Sequence, residues 1–175
     1  ALEILKQKKH LRIVIADPKD YKEDFEIKYF KGSLLYQQSN QELCSQQKWV
    51  TKNQSNHASK SLIDFGLHAI KAIPSNAIVI ARQNTDGSLQ MIGMVAGQPN
   101  RKVAVRLAID KAKENIAKEQ QMDESKLLAN TVLLSEAFFP FADSIELCAK
   151  AGVTCVIQPG GSRRDFEVIE SCNKH

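Results

Sequence analysis

Apolar residues change period along the chain. From Ser59 onward Leu62, Ile63, Leu67, Ile70 and Ile73 return at steps of three and four, which predicts an amphipathic helix over residues 60–73, capped by Ser59 and stopped by Pro74. Two β-branched runs follow, residues 77–82 and 89–95, with Asp86-Gly87 between them as a turn signal; they predict a hairpin with a loop longer than two residues. Residues 101 to about 121 form the longest helical pattern, with Val105, Ala108, Ala112 and Ile116 as the inner face. Residues 131–134 then read as a short buried strand and 153–157 as the next one. Asp143 to Glu146 has the spacing of a capping box and Gly152 falls where a C-terminal glycine belongs, so a helix is expected over residues 144–151 with Asp143 as its N-cap. A last helix is expected over residues 164–173. Strand, loop and helix, repeated, predict an α/β fold with a right-handed parallel layer.

The first fifty residues are less periodic. Leu11 to Ala16 is a β-branched run ended by Asp17-Pro18 and predicts a strand; residues 26–36 predict a second one, broken at Gly32. Residues 37–47 are polar and Gln-rich, a surface connection, and Trp49-Val50-Thr51 resumes an apolar run before the polar residues 52–56.

Composition narrows the classes. With 175 residues, 43% hydrophobic and 25% charged, the chain can bury one real core. The net charge of +4 is spread out rather than blocked, which favours small anionic ligands over nucleic acid. There is no apolar run long enough for a membrane span and no signal-peptide pattern at the start, so a cytoplasmic protein is expected. Cys44, Cys148, Cys155 and Cys172 are far apart and form no metal-binding pair; reduced packing cysteines are expected, and no zinc.

In an open α/β sheet, ligands sit where strand ends lead into helix N-termini. Two loops of that kind stand out. Phe138, Phe139 and Phe141 surround Pro140 just before Asp143, and Pro159-Gly160-Gly161-Ser162 follows the strand ending at Ile157. Aromatic rings there either plug the edge of the core or stack a flat heterocycle. The glycines let a backbone approach a ligand closely, or simply make a turn. Asn76, after Pro74-Ser75, is a turn former or a polar group aimed into a site. Arg101 opens a helix, a place the helix dipole disfavours for a cation unless an anion is bound beside it.

Taken in order, Ser75-Asn76-Ala77-Ile78-Val79, Ala96-Gly97-Gln98 with Arg101, Ala137-Phe138-Phe139-Pro140-Phe141 with Asp143, and Gln158-Pro159-Gly160-Gly161-Ser162 with Arg164-Asp165 resemble one family. They are similar to the C-terminal half of the AICAR transformylase domain of bifunctional purine-biosynthesis proteins, which also carry IMP cyclohydrolase. The resemblance covers the chain from about Trp49 to the end and is looser over residues 11–36. It implies a cytidine-deaminase-like layered α/β fold without zinc. Residues 1–48 would end a preceding α/β unit and its connection, and residues 49–175 would form a transformylase subdomain cut at both ends. It implies transfer of a formyl group from formyl-tetrahydrofolate, the co-substrate, to the exocyclic amine of AICAR, in a homodimer. Asn76, Arg101 and Phe138 would contact AICAR, Asn76 as an orienting group and Arg101 through the phosphate. Lys102, Asp143, Ser162 and Arg163 would lie on the folate side.

Departures from the pattern qualify these expectations. The family's catalytic Lys-His pair belongs upstream of residue 1, and Lys9-His10 comes too early to replace it, so a fragment that supplies binding residues is expected. Glu136 stands where the family has Asp, a change that bears on a monovalent-cation or hydrogen-bond site, and Ala142 stands where a basic residue is common. The alternatives are a non-catalytic purine-nucleotide-binding module and a structural remnant.

Overall fold

The computed structural model describes residues 2–17, 24–119 and 128–175. The chain falls into two units, Ala1–Glu42 and Leu43–His175. In the first, a short helix, α1 (Leu2–Lys6), precedes an antiparallel hairpin of β1 (Phe25–Phe30) and β2 (Ser33–Gln38). Lys31 and Gly32 both take positive φ, 44° and 84°, which gives the two-residue turn whose twist matches the strands it joins. Phe25 stacks on Tyr36 with ring centroids 4.8 Å apart. Residues 11–16, expected as a strand, are neither helix nor strand: a β-branched run becomes a strand only where a partner completes its ladder, and this one has none among the described residues. Pro18, which was expected to end that strand, lies outside the described residues.

The second unit is a four-stranded sheet covered on both faces. Its elements are α2 (Lys60–Lys71), β3 (Ile78–Gln83), β4 (Leu89–Val95), α3 (Arg101–Glu119), β5 (Thr131–Ser135), α4 (Asp143–Lys150), β6 (Cys155–Ile157) and α5 (Asp165–Lys174), with strand order β4-β3-β5-β6. Ser59 caps α2 by accepting from the Leu62 amide, as its position predicts. The expected end of α3 at Gln121 lies outside the described residues. The sheet is mixed rather than parallel throughout: β5 and β6 are parallel, while β3 is antiparallel to both β4 and β5. A loop as short as that between Gln83 and Leu89 can join only antiparallel neighbours, whereas the β5–β6 crossover has α4 to carry it back.

Alternation along the central strands divides the core in two. Ile78, Ile80 and Leu133 point to the face covered by α3 and α4, where Val105, Ala108, Ala112, Ile116 and Phe139 pack. Ala77, Val79, Val132 and Leu134 point to the other face, covered by Leu62 and Ile70 of α2. Gly93 on β4 brings α3 against the sheet; a Cβ there would sit 2.5 Å from the Ala108 carbonyl oxygen. Cys148 and Cys155 are core residues whose thiols burial, reinforced by nearby Cys172, pushes up to about 12 and about 11. Among the described residues no three His, Cys, Asp or Glu side chains converge on a metal-binding arrangement, and no helix is long and apolar enough to cross a membrane.

Candidate functional site

The register of the sheet gathers the motif segments at one edge. Ile78, at the start of β3, is paired with Val95 at the end of β4 and with Ser135 at the end of β5, and Leu134 is paired with Ile157 at the end of β6. The approach to β3 (Ser75, Asn76, Ala77), the β4–α3 loop (Ala96 to Asn100), the β5–α4 loop (Glu136 to Ala142) and the β6–α5 loop (Gln158 to Arg164) therefore share a rim. Three helices, α3, α4 and α5, begin there.

Arg101 is the first residue of α3 and only 7% exposed. Its Nη1 donates to the Ala77 carbonyl at 3.0 Å and to Glu136 Oε2, and its Nη2 donates to Glu136 Oε1 at 2.8 Å. Its Nε is buried without a partner. Glu136 also accepts from the Ser75 hydroxyl and, at 3.0 Å, from the Ala77 amide. Burial alone would raise the Glu136 carboxyl, but Arg101, Ser75 and Ala77 outweigh it and hold the group below the ordinary glutamate value. Asn100 caps α3 through its side chain, which accepts from the Val103 amide at 2.9 Å. Asn76 donates through Nδ2 to the Gln98 carbonyl at 2.8 Å, which fixes its side chain between β3 and the β4–α3 loop.

The three phenylalanines divide. Phe139 is fully buried and plugs the core beside α3, while Phe138 and Phe141 are 42% and 50% exposed on the rim. The Arg164 guanidinium lies over the Phe141 ring, 5.0 Å from its centroid. The Phe139 amide donates to the Gln158 side chain, so the aromatic and glycine loops are tied together.

Asp143 is not the N-cap of α4. That position falls to Ala142, which makes no side-chain cap, and Asp143 is the first helical residue. Its carboxylate still faces the positive end of the helix and pairs with Lys102 Nζ at 3.3 Å, so two residues expected on one side of a ligand meet. In the glycine loop Gly161 has φ 110°, and the Asp165 carboxylate accepts from the Gly161 amide at 2.8 Å and the Ser162 amide at 3.2 Å. Those amides are thus engaged by the chain's own carboxylate. Ser162 Oγ in turn accepts from the Arg164 amide at 3.1 Å, and Arg163 is exposed. Sequence reasoning did not anticipate Glu136 as the partner of Arg101, Gln158 as the tie between loops, or Asp165 as the cap of the glycine loop. An acid directly after Arg163-Arg164 at a helix start was a visible signal for Asp165; Gln158 had none.

A mixed α/β sheet with strand ends and helix N-termini on one polar and aromatic rim defines a class, the α/β domains that present ligand groups from loops at a sheet edge. Within that class the chain belongs to the AICARFT/IMPCHase bienzyme family, which matches residues 1–111. It is similar to the bifunctional purine biosynthesis protein of Clostridioides difficile (strain 630), 36% identical over 100% of this chain. The corresponding proteins of Prochlorococcus marinus (strain MIT 9312) and Aquifex aeolicus (strain VF5) are 39% and 38% identical over 99% and 100% of it. The chain spans 31% of the length of each of these relatives.

Proposed function

We propose that this chain is the substrate-binding part of an AICAR transformylase, from the C-terminal half of that domain, which orients AICAR and formyl-tetrahydrofolate for formyl transfer. The observation that carries this reading is the convergence of the four motif segments on one edge of the sheet, where Ile78 is paired with both Val95 and Ser135. Asn76, Arg101 and Phe138 are the AICAR contacts. The exposed Phe138 ring suits a flat heterocycle, and Asn76, fixed on the same rim by its bond to the Gln98 carbonyl, is the orienting amide. Lys102, Asp143, Ser162 and Arg163 serve the folate side.

In the reaction the AICAR amine attacks the formyl carbon, a tetrahedral intermediate forms, and its collapse breaks the bond to the folate nitrogen, which takes up a proton as the amine proton leaves to a base. The amine is a weak nucleophile, so orientation contributes on the order of several kcal/mol and oxyanion donors about 3 kcal/mol more. The base and main electrophile are assigned to a Lys-His pair outside residues 1–175, and the functional assembly is a homodimer. Calorimetry tests the reading. The chain should bind AICAR more tightly than its nucleoside, and Arg101→Lys should lower that preference by about tenfold, since a single ammonium cannot replace a two-pronged contact. Equal affinity of the variant and the parent for AICAR would remove Arg101 from the phosphate. Rapid formyl transfer by the purified chain would overturn the division of labour.

A further inference from the structure

Glu136 sits in an arrangement built for an oxyanion. Four hydrogen bonds reach its two oxygens: Oε1 accepts from Ser75 Oγ and Arg101 Nη2, and Oε2 accepts from the Ala77 amide and Arg101 Nη1. Donors of that kind and number commonly surround a bound phosphate or carboxylate. The donor set also exceeds what a carboxylate satisfies. Arg101 Nε lies on the guanidinium edge it shares with Nη2 and is left buried without a partner, an unfavourable condition for a buried donor. A group with three oxygens would serve that edge as well. Glu136 itself has a way out, because its side chain is 18% exposed and follows the end of β5 in the rim loop, whereas Arg101 is locked at the start of α3.

We propose that Glu136 is an internal place-holder for the oxyanion of a ligand: its carboxylate fills the site made by Arg101, Ser75 and Ala77, and a phosphate reaches Arg101 only by displacing it. This rests on the reading of Arg101 as the phosphate contact. The empty and filled states then differ by exchange of one anion for another, so the buried guanidinium is never unpaired. The tether also makes the site selective. A ligand must outcompete a carboxylate held at high local concentration, which a lone inorganic anion does poorly and a nucleotide anchored elsewhere on the rim does well.

Two variants of the full chain test this. In Glu136→Gln, which keeps the shape and removes the competing charge, the preference for AICAR over its nucleoside should rise about tenfold in calorimetry. An unchanged or reduced preference would overturn the proposal and make Glu136 a support for Arg101. In Glu136→Ala the donors are vacated, so inorganic phosphate should raise the thermal midpoint of the variant by a few degrees over sodium chloride of equal ionic strength and leave the parent chain unmoved. Equal effects on both proteins, or none on either, would also overturn it. If neither AICAR nor its nucleoside binds either protein, the transformylase reading fails, and the phosphate measurement still decides whether the site is an oxyanion site held by Glu136.

Discussion

Arg101 has three of its five N–H groups engaged, two by Glu136 and one by the Ala77 carbonyl, and that pairing sets how the molecule responds to acid. The Glu136 carboxyl is held below its ordinary value of 4.5, so the folded state binds its proton less readily than the unfolded chain. A group depressed on folding contributes stability above its unfolded value and loses it as pH falls through the folded one. The node should therefore contribute in full above about pH 4.5 and fade on further acidification. Chemical denaturation at a series of pH values should show the parent chain losing more stability than Glu136→Gln between about pH 4.5 and the lowered folded value. Parallel curves for the two would mean that Glu136 titrates alike in both states. The same residue explains why the site was only partly legible. Asn76, Arg101 and Phe138 were each visible as loop or helix-start residues of unusual type, but the partner of Arg101 lies 35 positions away and only the β3–β5 register brings it there.

Elements with a strong period were read correctly because packing and propensity agree on them. Of the residues their periodicity selects, Leu62, Ile63 and Ile70 are buried while Leu67 and Ile73 are half-buried around α2, and Val105, Ala108, Ala112 and Ile116 are buried on α3. The β3–β4 hairpin came from two β-branched runs and an Asp-Gly turn. What failed was non-local. The run at residues 11–16 has strand composition but no ladder among the described residues, and the antiparallel direction of β3 against β5 depends on pairing that local sequence does not encode. Gly93 is another such position: in sequence it interrupts a strand, yet its place against α3 gives it a purpose. A Cβ there would meet the Ala108 carbonyl oxygen at 2.5 Å and the Ala112 methyl at 3.0 Å, and neither can yield without moving the helix. Gly93→Ala should therefore destabilise the chain by about 1–3 kcal/mol. A guanidinium unfolding midpoint equal to that of the parent would show that α3 shifts freely on the sheet.

At the scale of the whole chain the two units, Ala1–Glu42 and Leu43–His175, rest on different amounts of buried surface. Every member of both core clusters lies between Ala58 and Cys172, and β3 and β5, central in the sheet, have residues fully buried on each face. The β1–β2 hairpin has two strands, and Ile27, Tyr29, Phe30, Leu34, Leu35 and Tyr36 are all exposed. A two-stranded ribbon whose apolar side chains remain in water gains little beyond its turn and one aromatic stack, so it is marginal by itself. Local opening free energies run from near zero at such sites to the global value at buried central strands. Amide hydrogen exchange on the full chain should therefore find hairpin amides exchanging on the order of a hundredfold or more faster than those of Val79, Ile80, Val132 and Leu133. The contrast should persist under mildly stabilising conditions, because burial of the sheet rather than overall stability produces it. Hairpin amides protected as strongly as those of β5 would mean that the exposed apolar residues of β1 and β2 are covered in solution by something that binds them with several kcal/mol.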